Sequence, residues 1–315
     1  MRKISLIILF GFTASTLLKA QYDAQFSNYW AAMNYFNPAA VGQTANMELS
    51  GLFRKQWLGM PGAPMSFVVS GDMPLNLFDR VHGVGAVFFS EGIGLFDRNV
   101  MALQYAYKKK MWEGTLNIGL QAGMISENFK GSEVYIPESE GFEQTDEGII
   151  TTDASGTAID FAIGLHYKYQ EKWYAGLSVS HLLEPKIELS DNIQMYPART
   201  YYLMGGYNIP LNNPFIELQP SFFAKSDLQT TLFDVNIRLC YNKMLWGGLG
   251  WRYGDAAILT LGAKFGKIQG GYAYDFPVTA IRKGTTGSHE LFLKYTMELT
   301  PGKGNKNKHK SVRLL

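Results

Sequence analysis

From about residue 46 to residue 299, apolar and polar positions alternate one by one, with breaks at regular intervals. In the last such run Leu291, Leu293, Tyr295, Met297 and Leu299 share one face, while Glu290, Phe292, Lys294, Thr296 and Glu298 share the other. Ile159, Phe161, Ile163, Leu165, Tyr167 and Tyr169 alternate with Asp160, Ala162, Gly164, His166 and Lys168. Around Cys240, Phe233, Val235, Ile237, Leu239 and Tyr241 oppose Asp234, Asn236 and Arg238. A helix would bring apolar residues back every third or fourth position, so period two predicts strands. Cutting at the breaks gives spans 46–56, 64–73, 82–91, 98–108, 113–127, 157–169, 173–182, 198–209, 215–225, 229–241, 244–253, 256–265, 268–275 and 287–299. These are about fourteen segments of the length that a tilted membrane strand needs, and the count is even, as in a bacterial single-chain barrel. The expected fold is all-β: a transmembrane antiparallel β-barrel preceded by an N-terminal pre-barrel segment.

Connection lengths point the same way. If the first strand rises from the periplasm, every second connection is extracellular and free to be long. The stretches 127–156, 183–197 and 275–287 fall on that side, and 109–112, 170–172, 242–243 and 266–267 fall on the other. A soluble sandwich has no reason to segregate long and short loops in this way.

Composition adds the compartment. Arg2 and Lys3 precede the apolar run Ile4 to Phe12, and Leu18-Lys19-Ala20 places a small residue before Gln21, which reads as a signal peptide cleaved after Ala20. That run is too short to cross a bilayer core of roughly 30 Å as a helix, and no later window has the ~18 apolar residues a spanning helix requires. The chain nevertheless carries 20 Phe, 18 Tyr, 6 Trp and 33 Gly, a mixture suited to strands that face lipid on one side and water on the other. The predicted localisation is therefore the bacterial outer membrane. The organisation expected is a signal peptide at 1–20, a plug-like or periplasmic segment at 21–45, the barrel at 46–299 and a basic periplasmic tail at 300–315.

Other classes lose ground. A formal charge of +2 gives no reason to expect a nucleic-acid partner. Cys240 is a lone thiol, so neither a disulfide framework nor a cysteine metal cluster is available, and a half-buried strand position is expected for it. Glu133, Glu138, Glu140, Glu143, Asp146, Glu147 and Asp153 make the longest loop acidic. They lack the ligand spacing of a calcium loop, so no metal and no cofactor is assigned. Lys303, Lys306, Lys308, Lys310 and Arg313 make the tail basic, either a solvated end or a contact for an acidic periplasmic partner. Nucleophile elbows, metalloprotease His pairs and phosphate loops are missing from the sequence. Ser288-His289-Glu290 sets three catalytic residue types side by side, but neighbours on a strand point to opposite faces, so no enzyme is expected. Glycines within strands, among them Gly83, Gly85, Gly119 and Gly123, permit bends and close approach. Trp57, Trp112, Trp173, Tyr174, Trp246, Trp251 and Tyr253 near strand ends suit an aromatic girdle.

Ahead of the first strand the stretch from Gln21 to Gly42 is too aromatic for a free tail. Asn37-Pro38 and Gly42 are turn signals, and Ser27 is placed to cap a short helix reaching Tyr35. Gln25-Phe26-Ser27 and Asn37-Pro38-Ala39…Gly42 resemble the opening of the PorP/SprF family, outer-membrane proteins of the type IX secretion system of Bacteroidetes. A second match runs from Arg54 through Gln56-Trp57 to Gly62-Ala63-Pro64-Met65-Ser66, and a third is Ser288-His289-Glu290-Leu291…Tyr295. The basic tail departs from members that end close to their last strand.

The second motif also has a reading of its own. Gly59, Pro61, Gly62 and Pro64 predict a tight extracellular turn with Trp57 at the interface, and Arg54 and Gln56 are expected to point into the lumen. They either stiffen the first hairpin or recognise a partner. The resemblance implies a non-enzymatic barrel that lies in outer-membrane lipid and meets type IX secretion components. It further implies a role in the secretion or anchoring of surface cargo such as gliding adhesins, with contacts to periplasmic components of the machine. The polar lumenal faces leave a passive or substrate-selective pore as the alternative.

Overall fold

The computed structural model describes residues 23–78, 80–134, 151–190 and 193–299. The signal peptide with its cleavage site, most of the acidic loop and the basic tail lie outside the described residues.

Seventeen strands follow a short N-terminal segment: β1 (Met47–Lys55), β2 (Met65–Leu77), β3 (Arg80–Ile93), β4 (Phe96–Met111), β5 (Gly114–Phe129), β6 (Ala154–Tyr169), β7 (Trp173–Ser180), β8 (Ile187–Ser190), β9 (Ile193–Met195), β10 (Thr200–Tyr207), β11 (Ile209–Pro210), β12 (Ile216–Ser226), β13 (Thr231–Tyr241), β14 (Leu245–Arg252), β15 (Ala256–Phe265), β16 (Ile268–Pro277) and β17 (Ser288–Met297). Strands β8 and β9 form a separate hairpin, and the two-residue β11 only flanks β12. The other fourteen pair antiparallel with their neighbours in the chain, and β1 closes the ring against β17 from Met47↔Met297 to Lys55↔His289. Each of the fourteen predicted spans overlaps one of these strands, and β2 to β6 run beyond theirs.

The closed ring leaves no sheet edge at membrane depth along most of its circumference, as strands in lipid require. Outward positions on neighbouring strands are large, apolar and exposed, among them Leu103, Leu120, Ile163, Leu203, Ile237, Leu249, Leu261 and Leu293. Together they form a continuous apolar band. None of the described helices is long and apolar enough to cross a membrane.

Residues 112–113, 170–172, 242–244 and 266–267 turn tightly at one end, while 56–64, 130–153, 181–199 and 278–287 connect strands at the other. Outer-membrane barrels keep short turns on the periplasmic side, so the second end is extracellular. The wall is uneven in height: β4, β5 and β6 each run 16 residues, and β7 and β10 only 8.

The lumen is occupied. Residues 23–46 enter it near the extracellular end and descend to the start of β1, through a 3-10 turn (Tyr29–Ala31), one α-helical turn (Met33–Phe36) and a second 3-10 turn (Pro38–Ala40). Phe26, Tyr29 and Phe36 are buried against the lumenal side chains Phe89, Tyr202, Met204, Phe223, Trp246 and Phe292. Burying a large apolar side chain contributes ~1.5–3 kcal/mol, and this membrane protein therefore has a hydrophobic core inside its barrel.

Two local expectations are corrected. Ser27 caps no helix: Asn28 precedes the first turn, with no side-chain cap bond. Trp246 and Tyr174 are not girdle residues but face the lumen, Trp246 stacking on Phe292 and Tyr174 on His166. Gln56 follows the end of β1, where its backbone N–H donates to the Pro64 carbonyl.

Candidate functional site

Near the extracellular end of the lumen, residues from all three sequence motifs meet at one point. Arg54 lies near the end of β1, Glu290 near the start of β17 and Asp275 near the end of β16, so adjacent strands place them side by side. Arg54 donates from Nη2 to Asp275 Oδ2 (2.7 Å) and from Nη1 to Glu290 Oε2 (3.2 Å). Arg252, at the end of β14, bridges Asp234 (3.0 Å) and Asp275 (2.9 Å). These five side chains are at most 3% exposed.

The N-terminal segment completes this cluster. The Ser27 hydroxyl donates to Asp275 (2.7 Å) and accepts from Arg54 (3.2 Å) and Arg252 (3.0 Å), which uses all its hydrogen-bonding capacity. Glu290 accepts the backbone N–H groups of Ser27 (2.8 Å) and Asn28 (2.7 Å), and Gln25 donates to Asp234 (3.0 Å). Three buried carboxylates face two guanidinium groups here, and the two backbone N–H groups supply what Glu290 would otherwise lack. A buried ion cluster is stable only when such remaining valences are met. The barrel wall and the plug therefore depend on each other at this point.

A second anchor lies close by. His181, just past β7, sits between Asp23 (3.1 Å from Nε2) and Asp160 (3.1 Å from Nδ1). The Tyr202 hydroxyl also donates to Asp23, and Lys225 donates to the Asp23 carbonyl (2.6 Å). Burial alone would pull the His181 pKa down, but Asp23 and Asp160 raise it to about 10. Burial pushes the Asp23 carboxyl up, and His181, Tyr202 and Lys225 outweigh it, holding that carboxyl well below the usual range.

Lower down, Trp30 lies under the Arg238 guanidinium, 3.7 Å from the ring centroid, and edge-on to Phe292. Asn34 donates to Asp72 and accepts from Ser70, and its carbonyl accepts from Gln104.

The Asn37–Gly42 turn closes the periplasmic part. The Asn37 side chain accepts from its own Ala39 N–H (2.9 Å) and donates to the Leu165 carbonyl (2.9 Å). Asn117 donates to the Ala39 carbonyl (3.0 Å), Ser178 to Phe36 (2.6 Å) and Lys108 to Gly42. The turn rests directly on strand backbone. A Cβ on Gly119 would overlap the Ala39 amide, and one on Gly83 would overlap the Val41 carbonyl. Pro38 is buried in this seat, and Gly42 takes φ 63° with its N–H on Asp72 (2.6 Å).

The remaining motif residues build the rim. Trp57, at φ 47°, donates its N–H to Ser288. Gly62, at φ 69°, accepts from Gly94 through its carbonyl. Ser66 donates to buried Glu91 (2.6 Å), which Arg98 also faces. His289 bonds the Tyr272 hydroxyl (2.6 Å), away from the Glu290 cluster, so Ser288-His289-Glu290 forms no triad. Cys240 is buried and free. The sequence reading missed Asp23, His181, Lys225, Asp234, Arg252 and Asp275 as a group. The available signal was charge at the inward strand positions Lys225, Asp234, Arg252 and Asp275, together with the aromatic pairs Phe88-Phe89, Tyr201-Tyr202 and Phe222-Phe223. Each pair puts one ring outward and one inward, a redundancy that a water-filled lumen does not need.

A closed antiparallel barrel with a lipid-facing band and a lumen occupied by its own N-terminal segment defines an outer-membrane β-barrel protein. A crystal structure of a Pseudomonas aeruginosa FadL homologue is similar in fold, at 11% identity with a TM-score of 0.50, covering 86% of this chain and 94% of that one. The Acinetobacter baumannii outer membrane protein Omp33 aligns at 6% identity with a TM-score of 0.47, covering 81% of this chain and all of that one. Comparison with curated proteins gives no match. The chain belongs to the family described as type IX secretion system membrane protein PorP/SprF, which matches residues 18–295.

Proposed function

We propose that this protein is an accessory, cargo-anchoring barrel of type IX secretion, holding a secreted surface protein such as an adhesin and so supporting gliding. What supports this reading is a lumen occupied by the protein's own N-terminal segment in a member of a secretion-system family. Lumenal polar groups such as Asp234, Asp275, Glu290 and Asn117 contact residues 23–42, so the work falls to the surfaces at the two ends. A passive pore is disfavoured on the same ground. The family and fold are those of a secretion-system membrane barrel and not of an enzyme class.

The test is deletion of the gene, with secretion, surface display and gliding measured together. Loss of display of one or a few surface proteins is expected, and all three unchanged would overturn the reading. A pull-down from native outer membranes, tagged in the 127–156 loop, would then identify the cargo.

A further inference from the structure

The two halves of the lumen are filled to different degrees. The five charged side chains around Ser27 are at most 3% exposed, whereas Lys294 and Glu48, lower down, are 20% and 19% exposed. The cause is the path of the N-terminal segment. Below Trp30 it leans to one wall, with its 37–42 turn seated on Gly83, Gly119, Gly164 and Gly176 of β3, β5, β6 and β7. The opposite wall, from β12 to β17, stands clear of that turn and forms a vestibule on the periplasmic side. Strand alternation turns Lys108, Lys110, Lys168, Arg238, Lys264 and Lys294 into this half of the lumen. Glu48, Asp72 and Glu217 face them among the described residues, so the vestibule is cationic.

Arg238 is set apart within it. Lys294 pairs with Glu48 (3.1 Å), Lys168 with Glu171 (2.8 Å), and Lys108 donates to the Gly42 carbonyl. The Arg238 Nε–H meets no acceptor among the described residues, and its guanidinium makes no ion pair there. Its contact is the Trp30 ring, 3.7 Å away. A guanidinium stacked on a ring spends its face and keeps its N–H edge, the edge that grips a carboxylate or phosphate through two parallel bonds.

Neighbouring strands add further donors. Arg238 pairs with Gly248, and Gly248 with Thr260. A Cβ on Gly248 would lie 2.7 Å from Arg238 Cγ and 2.8 Å from Thr260 Oγ1, so those two side chains meet over the glycine. The Thr260 hydroxyl has no partner among the described residues, and neither has the Trp246 indole N–H on the next rung. Thr260 is 2% and Trp246 8% exposed, and buried donors ordinarily find acceptors. Three donors lacking acceptors thus gather on β13, β14 and β15, in a vestibule whose charge favours anions.

We propose that this vestibule binds an oxyanion, a carboxylate or phosphate group entering from the periplasm, with Arg238 as its main contact. The guanidinium edge takes two of its oxygens, Thr260 and Trp246 donate to it from the side, and the surrounding lysines draw it in. Trp30 sits beneath Arg238, so the N-terminal segment helps to build the site. The inference is independent of what the extracellular end holds.

The test is isothermal titration of the purified mature protein in detergent, at constant ionic strength, with inorganic phosphate and with acetate. Arg238→Gln removes the charge, and Arg238→Lys keeps the charge without the planar edge. Unchanged heat-modifiable migration on gels reports assembly, and Thr260→Val serves if the Arg238 variants fail to assemble. The expected result is binding to the parent that is at least about ten-fold weaker in Arg238→Gln, a loss of about 1.4 kcal/mol, with Arg238→Lys between them. Acetylated trialanine, as free acid and as amide, separates two sources of the same group. Tighter binding of the free acid than of acetate, lost on amidation, marks the end of a peptide chain, and equal or weaker binding marks a small solute. No binding of any of these probes to the parent, or equal affinity in the parent and Arg238→Gln, would overturn the site.

Discussion

Glu290 on the last barrel strand and Ser27 in the N-terminal segment are joined through the Ser27 backbone N–H at 2.8 Å, across 263 residues of sequence. The same carboxylate takes Arg54 at 3.2 Å, so the first strand, the last strand and the plug meet on one side chain. Barrel closure and plug docking are thereby coupled: a β1–β17 seam out of register would misplace the groups that receive residues 25–28.

Replacing Arg54 by Ala tests that coupling. It leaves Asp275 and Glu290 buried with an incomplete set of partners, and breaking one side of a buried pair costs about 3–5 kcal/mol. A lower unfolding temperature of the purified barrel and faster proteolysis within residues 23–46 are expected. Glu290→Gln retains an acceptor for the Ser27 and Asn28 N–H groups and should cost less. Equal stability of Arg54→Ala and the wild type would show that the network is dispensable.

Gly119→Val addresses the periplasmic seat. The Pro38–Ala39 backbone occupies the space that a side chain at 119 needs, and backbone cannot step aside as a flexible side chain can. Overpacking of this kind costs about 1–3 kcal/mol or more. The expected outcome is an assembled barrel whose 37–42 turn becomes accessible to a thiol reagent at an introduced Ala40→Cys, which is protected in the parent. Continued protection would contradict the close seating of this turn.

The anchor at His181 predicts a pH dependence of defined sign. Its folded pKa of about 10 lies above the ordinary 6.5, so its contribution is complete below about pH 6.5 and is lost as pH rises through 10. Asp23 is shifted the other way from 3.8, so its contribution holds above that value and fades in acid. Both act together between roughly pH 4 and 6.5. Thermal stability of the wild type should therefore fall from pH 6 to pH 10, with a smaller fall for His181→Gln. Equal slopes in the two proteins would remove His181 as the cause.

How far the sequence carried this structure depends on which face of each strand was being read. On β17 the lipid imposes period two on Leu291, Leu293 and Tyr295, and that constraint is strong enough to be read directly. The lumenal face carries no such rule. Phe292 shares a face with Glu290, Lys294 and Thr296, and there it stacks on Trp246 and meets Trp30 edge-on. Ser27 has the side chain of a helix cap, since Ser commonly accepts a nearby N–H, but here the distant acceptor Asp275 and two arginines take its hydroxyl. Asp234, Arg252 and Asp275 are each unremarkable as single inward charges, and only closure of the ring brings them together. The Asn37-Pro38…Gly42 turn was legible as a turn, but its glycine seat was not, because the glycines lie on separate strands of β3, β5, β6 and β7.

The most direct test of the sealed barrel is single-channel conductance in a planar bilayer, comparing the mature wild type with a variant lacking residues 21–42. The sealed lumen predicts a silent wild type and stepwise currents, or a barrel too unstable to insert, once the segment is removed. Steady open-pore currents from the wild type, unchanged by the deletion, would contradict the account and return the protein to the class of passive pores.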